Sequence, residues 1–552
     1  MKKITVATYL AKYLAKFGVK NIFMLSGTGS IFLDDAFAHQ KGIKHICARH
    51  EAAAVIMAQA SAKLTNSIGV VIATTGPGGT NAISGIVESW VDSVPVLVIS
   101  GQVATNQNLK TRSFGIQGFD IISNVKKLTK YAVQVKSPNK IKYHIEKAIH
   151  YACSGRKGPV WLDIPFDIQS AKIDEKKLLS FQNEKKNKKT FNKIKIDKIF
   201  ELIQNSKKPI IVFGQGIRQS EIINKFKKMI EYLKIPCITA RMGLDILHFN
   251  HKFFFGLAGM RGHRFSEKIL KSTDLIFCIG TSFSHAFAGE KFDQFNKKAK
   301  IAMVNIDQKE MNKPNLKIKI KIKSELKNFF NDLNFIYKKN TTKNFNNWLE
   351  ECRLLKKKLT TVNNSMKQNP INSYYFTKCL GEVSDKNSVF VNDAGSSNYV
   401  CSQALEIKKN QREITSGAFY SMGLAVPMAI GASASYPKKT IIAITGDGSI
   451  ELNIQELRTM SINRLNIKLF VINNGGYASI RKSQDDMTGG RYTDDEEVLD
   501  FNKTAGAFNI RYYKINKFKN IKKDLKKILK SNGPSLTEVF CDPNQKIIET
   551  FN

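Results

Sequence analysis

The stretch GDGSIELNIQELRTMSINRLNIKLFVINNGGY, from Gly446 to Tyr477, ends two short apolar runs on polar residues and places a helical pattern between them. The runs TIIAIT and IKLFVI are continuous and β-rich, as buried parallel strands are. Between the runs, apolar residues recur at a helical spacing, at Leu452, Ile454, Leu457 and Met460. The stretch predicts a βαβ unit whose polar residues lie at the carboxyl ends of the strands, where open parallel sheets bind ligands.

The rest of the chain repeats this alternation, and 552 residues are too many for one hydrophobic core. Residues 1–175 contain the candidate strands NIFML, KHICA, GVVIATTG, PVLVIS and PVWLDIP. Residues 190–340 contain PIIVFGQG, PCITA, LIFCIG and KIAMVNID, and residues 365–552 contain SVFVNDAG, TIIAITGDG, IKLFVINN and SLTEVF. The sequence therefore predicts an α/β protein with three doubly wound parallel-sheet domains. The lysine-rich run EKKLLSFQNEKKNKKTFNKIKIDK is predicted to be a linker between the first two.

The net charge of +40 raises the question of a nucleic-acid partner. Basic binding faces cluster, however, and here the lysines are spread over nearly every segment, so no nucleic-acid binding is predicted. No run of eighteen apolar residues occurs, so no membrane span is predicted, and the N-terminus has the pattern of an amphipathic helix, not of a signal peptide. The eight cysteines include no CxxC pair, which favours buried thiols in a cytoplasmic protein over a zinc site.

The residue types in the opening stretch suit a hard metal ion and phosphate. Asp447 offers a carboxylate, Asn474 offers a carbonyl oxygen, and the glycines beside both allow the backbone to approach a ligand closely. Mg²⁺ usually binds through one or two carboxylates together with substrate phosphates. The alternative is that Asp447 only caps a helix and the asparagines only form a turn, which is common for each feature taken alone.

The GDG, helix, strand and NN pattern resembles the signature of thiamine diphosphate enzymes, and the acetolactate synthase group is the nearest in pattern. The resemblance covers nearly the whole chain. The segment ARHEAAAVIMAQASAKLTNSIGVVIATTGPGGTNAISGIVESWVDSVPVLVISGQV is similar to the pyrimidine-binding domain of that group. The segment SGAFYSMGLAVPMAIGASASYP is similar to the approach to its diphosphate-binding domain. The resemblance implies that thiamine diphosphate and Mg²⁺ are the cofactors.

The resemblance also implies roles for individual residues. Glu51 matches the glutamate that bonds the cofactor's pyrimidine ring and promotes formation of its reactive carbanion; the alternative is that Glu51 merely opens a helix. Met422 matches a side chain that supports the bent cofactor, although a methionine is more often a core residue. Gly27, Thr28, Gly29 and Gln117 match residues near the reacting carbon.

Further residues match the diphosphate and metal sites. Mg²⁺ is predicted to be held by Asp447, Asn474 and the carbonyl of Gly476. The other cofactor contacts implied are Pro77, Asn81, Gly395, Ser396, Ser397, Tyr420, Gly446, Gly448, Ser449, Tyr477, Ser479 and Ile480.

Three departures from the acetolactate synthase pattern concern the second substrate. Ile116 replaces a usual Phe, Phe166 replaces a usual Lys, and Ser483 replaces a Trp. The form NNGGYASIR resembles instead a subgroup of acetolactate synthase-like proteins. This resemblance implies decarboxylation of a 2-oxo acid such as pyruvate, with transfer of the two-carbon unit to another carbonyl compound such as a nucleotide-linked keto sugar. Acetolactate synthesis from two pyruvates is the alternative, and a non-catalytic cofactor-binding subunit is the more distant one.

Two further expectations concern FAD and assembly. The segment GLAGMRGH, Gly256 to His263, resembles an FAD-contacting loop of the group, but GTSFSHAF lacks the charged residues usual there, so FAD stays open. Gly214-Gln215-Gly216 follows a strand but lacks the third glycine of a dinucleotide loop, which favours a plain turn. The resemblance implies a homodimer or homotetramer with each cofactor between two subunits.

Overall fold

Long runs of β-branched residues form the centres of three parallel sheets, as the sequence predicts. A computed structural model of the protein describes residues 3–107, 111–112, 114–182, 193–289, 292, 295–337, 343–491 and 497–550. Each of the three large sheets has six strands, all parallel, with helices packed against them. The predicted fold class is therefore confirmed, while the exact domain boundaries stay predictions.

The N-terminal domain contains the first large sheet. Its strands are β1 (Ile4–Thr5), β2 (Asn21–Met24), β3 (Lys44–Cys47), β4 (Gly69–Ala73), β5 (Val96–Gln102), β6 (Ala132–Gln134), β7 (Val160–Pro165) and β8 (Lys172–Ile173). Its helices are α1 (Val6–Phe17), α2 (Ile31–Ala38), α3 (Glu51–Thr65), α4 (Pro77–Val91), α5 (Ile121–Val125), α6 (Ile141–Cys153) and α7 (Phe166–Ser170). The sheet order is β3-β2-β4-β5-β7-β6, and β1 pairs with β8 separately.

The central domain has the order β11-β10-β9-β12-β13-β14. Its strands are β9 (Pro209–Phe213), β10 (Cys237–Thr239), β11 (Phe254–Leu257), β12 (Leu275–Ile279), β13 (Lys300–Asn305) and β14 (Ile320–Lys323). Its helices are α8 (Lys193–Asn205), α9 (Gly216–Gln219), α10 (Ile223–Leu233), α11 (Arg264–Ser272), α12 (His285–Ala288), α13 (Gln308–Met311), α14 (Leu326–Tyr337) and α15 (Asn346–Lys358). Numbered within the domain, the order is the 3-2-1-4-5-6 of dinucleotide-binding sheets.

The C-terminal domain has the order β16-β15-β17-β18-β20-β19. Its strands are β15 (Val389–Asn392), β16 (Arg412–Ile414), β17 (Ile441–Gly446), β18 (Ile467–Asn473), β19 (Arg511–Ile515) and β20 (Ser535–Phe540). Its helices are α16 (Ser373–Val383), α17 (Gly395–Ala404), α18 (Ala425–Ser435), α19 (Asp447–Ile450), α20 (Glu456–Ile462), α21 (Ala478–Met487), α22 (Phe501–Ala507) and α23 (Ile521–Leu529). Among the described residues, no helix combines the length and the apolarity needed to cross a membrane.

The βαβ unit predicted from the opening stretch is present with one correction. Strands β17 and β18 are parallel neighbours, and Gly446 at the end of β17 pairs with Ile472. The single helix predicted between them is wrong, because α19 and α20 are separated by a 3-10 turn at Glu451–Asn453. Leu452, predicted to be on the apolar face, is 53% exposed. The Asn453 side chain donates a hydrogen bond to the carbonyl of Gly423 at 3.0 Å, which ties this turn to the neighbouring segment.

The lysine-rich linker prediction is also partly wrong. Its last residues, from Lys193, form the start of α8, whose apolar residues Ile196, Ile199, Phe200 and Ile203 are buried at a helical spacing. The lysines among these apolar residues lie on the solvent side of the helix. Their high number gives the segment the composition of a linker and hides the helical periodicity. Residues 183–192 of the predicted linker lie outside the described residues.

Helices α3 and α18 join the N-terminal and C-terminal domains at backbone distance. Both helices are rich in alanine and are buried along nearly their whole length. A Cβ placed on Gly431 would be 2.1 Å from the carbonyl oxygen of Met57, so the contact leaves no room for a side chain. At the end of the same interface, the Ser435 hydroxyl donates to the Ser61 hydroxyl at 2.9 Å.

We expect Gly431→Val to destabilise the docked pair of domains by about 1 to 3 kcal/mol, because the new side chain must push α3 away from α18. The measurement is the midpoint of thermal or chemical denaturation. Gly506→Ala is the matched control: Gly506 lies in α22 with open space around it, and the change should stabilise by roughly 0.5 to 1 kcal/mol. An unchanged midpoint for Gly431→Val would show that the interface yields at no cost.

Candidate active site

Asp447 follows the end of β17 and organises the loop after β18. One carboxylate oxygen, Oδ2, accepts the backbone N–H groups of Asn474 at 2.8 Å and Gly476 at 2.9 Å. The other oxygen accepts the N–H of Gly448 at 2.9 Å. Burial raises the pKa of Asp447, and these N–H groups oppose that effect. Asp447 and Asn474, which are predicted to be neighbours, are thus joined by a direct hydrogen bond.

The loop after β18 is held in a strained shape that only glycines adopt readily. Gly475 and Gly476 have φ angles of 78° and 92°. Arg481 is buried and donates to the carbonyls of Asn474, at 3.1 Å, and Gly475. The carbonyl of Gly476, a predicted metal ligand, accepts the N–H of Ala478 at 2.8 Å and keeps a second lone pair. A Cβ on Gly448 would be 2.7 Å from the ring of Tyr477.

Two helices begin beside one cavity in this domain. Ser396 and Ser397, in the first turn of α17, line it together with Ser479 and Ile480 in the first turn of α21, and Asn474 also reaches it. Helix N-termini direct backbone N–H groups and a positive dipole end at their surroundings, which suits an anion such as a diphosphate. Ser396, Ser397, Ser479 and Ile480, four of the predicted cofactor contacts, therefore meet at one cavity, which Gly395 and Ser449 do not line.

Asp393 is a site residue that the sequence analysis missed. It is fully buried at the end of β15, and its carboxylate accepts the backbone N–H groups of Ala394, Leu424 and Ala425. It also accepts the hydroxyls of Thr445, at 2.9 Å, and Ser449, at 2.6 Å. The signal was present in the run SVFVNDAG, where a third strand ends on an acid, but it belongs to no recognised motif.

Ser449 and Met422 are neighbours through this network. The Ser449 hydroxyl accepts the N–H of Gly423 at 2.9 Å while it donates to Asp393. Met422 precedes that glycine and is 39% exposed, which is unusual for a core methionine. Tyr420, by contrast, lines a second cavity, which lies beside the central sheet. The structure does not place it with the serines of α17 and α21.

Glu51 lies at the carboxyl edge of the N-terminal sheet, where α3 begins. Its side chain is buried, and Oε2 accepts a hydrogen bond from the Asn81 amide at 3.0 Å. A Cβ on Gly78 would be 3.4 Å from the other carboxylate oxygen, so the first turn of α4, which starts at Pro77, packs against the acid. Glu51 does open a helix, as the alternative holds, and it also faces a neighbouring element that positions its carboxylate.

The glycine-rich loop at residues 27–29 is packed too tightly to carry side chains. A Cβ on Gly27 would be 2.5 Å from the hydroxyl of Thr74, and one on Gly29 would be 2.0 Å from the hydroxyl of Thr75. Because Thr74 and Thr75 follow β4 and precede Pro77, the loop with Thr28 lies at the same sheet edge as Glu51.

Gln117 is brought to this edge by a backbone contact. It has a φ of 62°, an uncommon conformation for a residue other than glycine, and its side chain is exposed. A Cβ on Gly76 would be 2.3 Å from its carbonyl oxygen, so Gln117 rests on the turn that leads into α4. The predicted residues of the N-terminal domain therefore form one group, and those of the C-terminal domain, apart from Tyr420, form another.

Among the described residues, the cavity beside Asn474 does not bring the two groups together within one chain. The described residues that line the cavity beside Asn474 come from the central and C-terminal domains, and Glu51 and Gln117 are not among them. Exposed apolar side chains border both groups: Ile31, Ile116 and Phe119 in the N-terminal domain, and Phe419, Met422 and Ile480 in the C-terminal domain.

A separate cavity lies at the carboxyl ends of β9 and β12, where the strand order of the central sheet reverses. Gly214, Gln215 and Gly216 line it opposite Gly280, and the N–H of Gly216 donates to the Gly280 carbonyl at 3.0 Å. Residues of the segment that resembles an FAD-contacting loop, Leu257 to Gly262, also line it. In sheets with this order, dinucleotides bind at such a reversal.

Comparisons with known proteins agree with this geometry. The models of thiamine pyrophosphate enzymes match in three parts: the N-terminal TPP binding domain at residues 4–124, the central domain at 196–333, and the C-terminal TPP binding domain at 393–539. The acetolactate synthase large subunit of Lactococcus lactis is 30% identical over 541 residues, which cover 97% of this chain and 92% of the relative. The probable large subunit of Methanocaldococcus jannaschii is 30% identical, covering 98% and 92%.

The acetolactate synthase isozyme 2 large subunit of Escherichia coli is 28% identical, with 98% of this chain and 96% of the relative covered. The chain therefore belongs to the thiamine pyrophosphate enzyme family and is an acetolactate synthase-like member of it. It is an enzyme of the carboligase or transferase type and has thiamine diphosphate-binding domains at both ends.

We expect Asp393→Ala to lower the stability of the C-terminal domain by at least about 3 kcal/mol, because buried N–H and hydroxyl donors lose their acceptor. Thiamine diphosphate affinity should fall as well, since Ser449 and the segment before Met422 are held by this acid. Denaturation midpoints and titration calorimetry measure the two effects. Asp197→Ala, at an exposed acid of α8, is the control. Normal stability and affinity in Asp393→Ala would contradict the role given to this network.

Proposed function

We propose that the protein is an acetolactate synthase that decarboxylates one pyruvate and joins its two-carbon unit to the carbonyl of a second pyruvate. The observation that carries this proposal is the match of nearly the whole chain to proteins named acetolactate synthase large subunit, together with the buried acids at the ends of α3 and β17. The relatives thus favour the alternative from the sequence analysis over the keto sugar acceptor preferred there.

The residues around Asp447 fit thiamine diphosphate and Mg²⁺. When bound, the cofactor supplies the electron sink for decarboxylation. Asp447, Asn474 and the Gly476 carbonyl would hold the metal, since hard oxygen ligands with few protein charges suit Mg²⁺. Among the described residues, no three His, Cys, Asp or Glu side chains cluster, so a metal ion here would take part of its coordination from the diphosphate. The serines and helix N-termini of α17 and α21 would bind that diphosphate.

Glu51 would hold and exchange a proton at the cofactor's pyrimidine ring. Asn81 fixes one carboxylate oxygen at 3.0 Å, so the orientation of the other is also set. The first turn of α4 packs against Glu51, and the buried carboxylate is largely closed to water. Residues 27–29 and Gln117 would border the reacting carbon at the same edge.

One observation keeps a different second substrate as the other candidate. Phe166, at the start of α7, stacks at a tilt against Phe32 with ring centroids 4.9 Å apart, so an apolar pair stands where the acetolactate synthase pattern has a lysine. Ser483 lies on the exposed side of α21 and lines the same cavity as Ser479, where a larger side chain is usual. Both changes would alter the space offered to an acceptor, and the Ser483 hydroxyl donates to the carbonyl of Ser479, a predicted cofactor contact, at 3.1 Å.

The test is product formation from pyruvate alone with thiamine diphosphate and Mg²⁺. We expect acetolactate and CO₂ in equal amounts, and Glu51→Gln should lower turnover by about 10² to 10⁴ with much less change in cofactor affinity. If CO₂ release required an added aldehyde or keto sugar, that compound would be the acceptor, and the proposal of acetolactate synthesis would be wrong. No release from any 2-oxo acid would contradict both and favour a non-catalytic subunit.

We propose that the working form is at least a homodimer, with each cofactor between the N-terminal domain of one chain and the C-terminal domain of another. The support is that, among the described residues, none of the N-terminal group lines the cavity beside Asn474 of the same chain, and that exposed apolar side chains border both groups. Exposed apolar patches beside two half-sites are what a second copy would cover. Sedimentation of the purified protein distinguishes a homodimer from a homotetramer.

A mixed dimer tests this arrangement. Glu51→Gln and Asp447→Asn each impair every site of a homodimer, but a heterodimer of the two variants contains one site with both native acids. We therefore expect the doubly tagged, purified heterodimer to recover about half of the wild-type turnover. If both acids of a site came from the same chain, every site of the heterodimer would carry one substitution, and no activity would return.

We propose further that the central cavity takes a dinucleotide, with FAD the first candidate. The 3-2-1-4-5-6 strand order and the glycines at the reversal support this. The visible absorption of the purified protein distinguishes the ligands, since a flavin absorbs visible light and other adenine nucleotides do not. A cytoplasmic location stays a prediction.

A further inference from the structure

Glu456 connects the C-terminal domain to the N-terminal domain at a point next to Glu51. It lies at the start of α20, and its side chain is fully buried. Its Oε1 accepts the backbone N–H groups of Arg49 at 2.7 Å and His50 at 3.1 Å, across more than four hundred residues of sequence. Its Oε2 accepts the Thr459 hydroxyl at 2.8 Å. Both oxygens of this carboxylate are therefore engaged.

The peptide groups that Glu456 holds lead directly into the proposed catalytic acid. His50 is the cap of α3: its Nδ1 accepts the N–H of Ala52 at 3.2 Å, and its carbonyl accepts the N–H of Ala54 at 3.1 Å. Glu51 follows as the first residue of the helix. The backbone before Glu51 is thus fixed by α20, the backbone after it by the helix, and its carboxylate by Asn81.

We propose that Glu456 is a positioning residue for Glu51: its carboxylate sets the backbone from which the catalytic side chain projects. This inference rests on the proposed function, because it gives Glu51 the proton-exchanging role. Asp447 begins the same Asp447–Ile462 stretch that carries Glu456, so the proposed metal ligand and the support of Glu51 share one segment. A small shift of the Arg49–His50 peptide groups would move the Glu51 carboxylate away from its target.

A purely structural role for this acid makes a different prediction from a positioning role. If Glu456 only fills a buried space, its removal should lower stability. Its effect on the proton exchange that depends on Glu51 should then be no larger than the effect of another core substitution. If Glu456 acts through Glu51, its replacement should slow proton exchange at the thiazolium carbon when Glu51 is present. The same replacement should have no further effect once Glu51 itself is replaced. The two roles are separable because the hydrogen bonds go to backbone groups and need only an acceptor oxygen.

The first measurement uses the protein without cofactor. Amide hydrogen exchange, followed by mass spectrometry, should become faster at residues 49 and 50 in Glu456→Ala, since their N–H groups lose their acceptor. Glu456→Gln should restore slow exchange, because its amide oxygen can accept both N–H groups and its NH₂ can donate to Thr459. Equal protection in Glu456→Ala and wild type would overturn the inference at this stage.

The second measurement follows proton exchange at the thiazolium carbon of bound thiamine diphosphate by NMR in heavy water. We expect the exchange rate to fall about 10- to 100-fold in Glu456→Ala, because a displacement of about 1 Å at a catalytic group has effects of that size. Glu456→Asp keeps the charge but moves the carboxylate oxygens back by one methylene, so its exchange rate should also fall. This variant replaces Glu456→Ala in the experiment if the alanine variant does not fold. Glu456→Gln should stay close to wild type.

The decisive comparison is the double variant. Glu51→Gln with Glu456→Ala should exchange no more slowly than Glu51→Gln alone, since a residue that acts through Glu51 has nothing left to position. Met460→Ala, a buried apolar change in the same helix, is the control for lost stability and should leave the exchange rate near wild type. Additive losses in the double variant, or an equal loss in Met460→Ala, would overturn the positioning role. Slow exchange in the wild type itself would instead contradict the proposed function.

Discussion

Hydrogen bonds from backbone N–H groups to buried carboxylates hold this molecule's functional edges together. Asp393, Asp447 and Glu456 each accept such bonds from segments remote in the sequence. Buried N–H groups and a buried carboxylate are both costly alone, and each removes the other's cost when they are paired. The loops at the carboxyl ends of β15, β17 and β18, and the start of α3, take their shape from these pairs.

The close contact of α3 with α18 makes the rest of this arrangement possible. Small residues allow the two helices to meet at backbone distance, as Gly431 does against Met57. In the docked domains, Glu456 of the C-terminal domain accepts the backbone N–H groups of Arg49 and His50 of the N-terminal domain. The interface between the two domains therefore also fixes the backbone that precedes Glu51.

Sequence periodicity predicted the central strands well and the edge strands poorly. Of the strands that the sequence analysis missed in the three large sheets, β6, β11, β14, β16 and β19, each lies at a sheet edge. The edge strand β19, with the sequence RYYKI, has a partly exposed face and so needs fewer continuous apolar residues. The edge strand β11, with the sequence FFGL, is buried throughout, and this reason does not apply to it. The break between α19 and α20 was likewise invisible, because it is tied to Gly423 from another segment.

The sequence by itself determined the three α/β domains, the family, and the motif residues Glu51, Asp447 and Asn474, because these depend on local periodicity and on fixed spacings of particular residue types. Tertiary structure alone decided the partners of those residues. Asp393 and Glu456 belong to no spacing pattern, since their hydrogen-bond donors lie from one to several hundred residues away. A buried carboxylate is identified by the N–H groups that surround it, and only the folded chain brings those groups together.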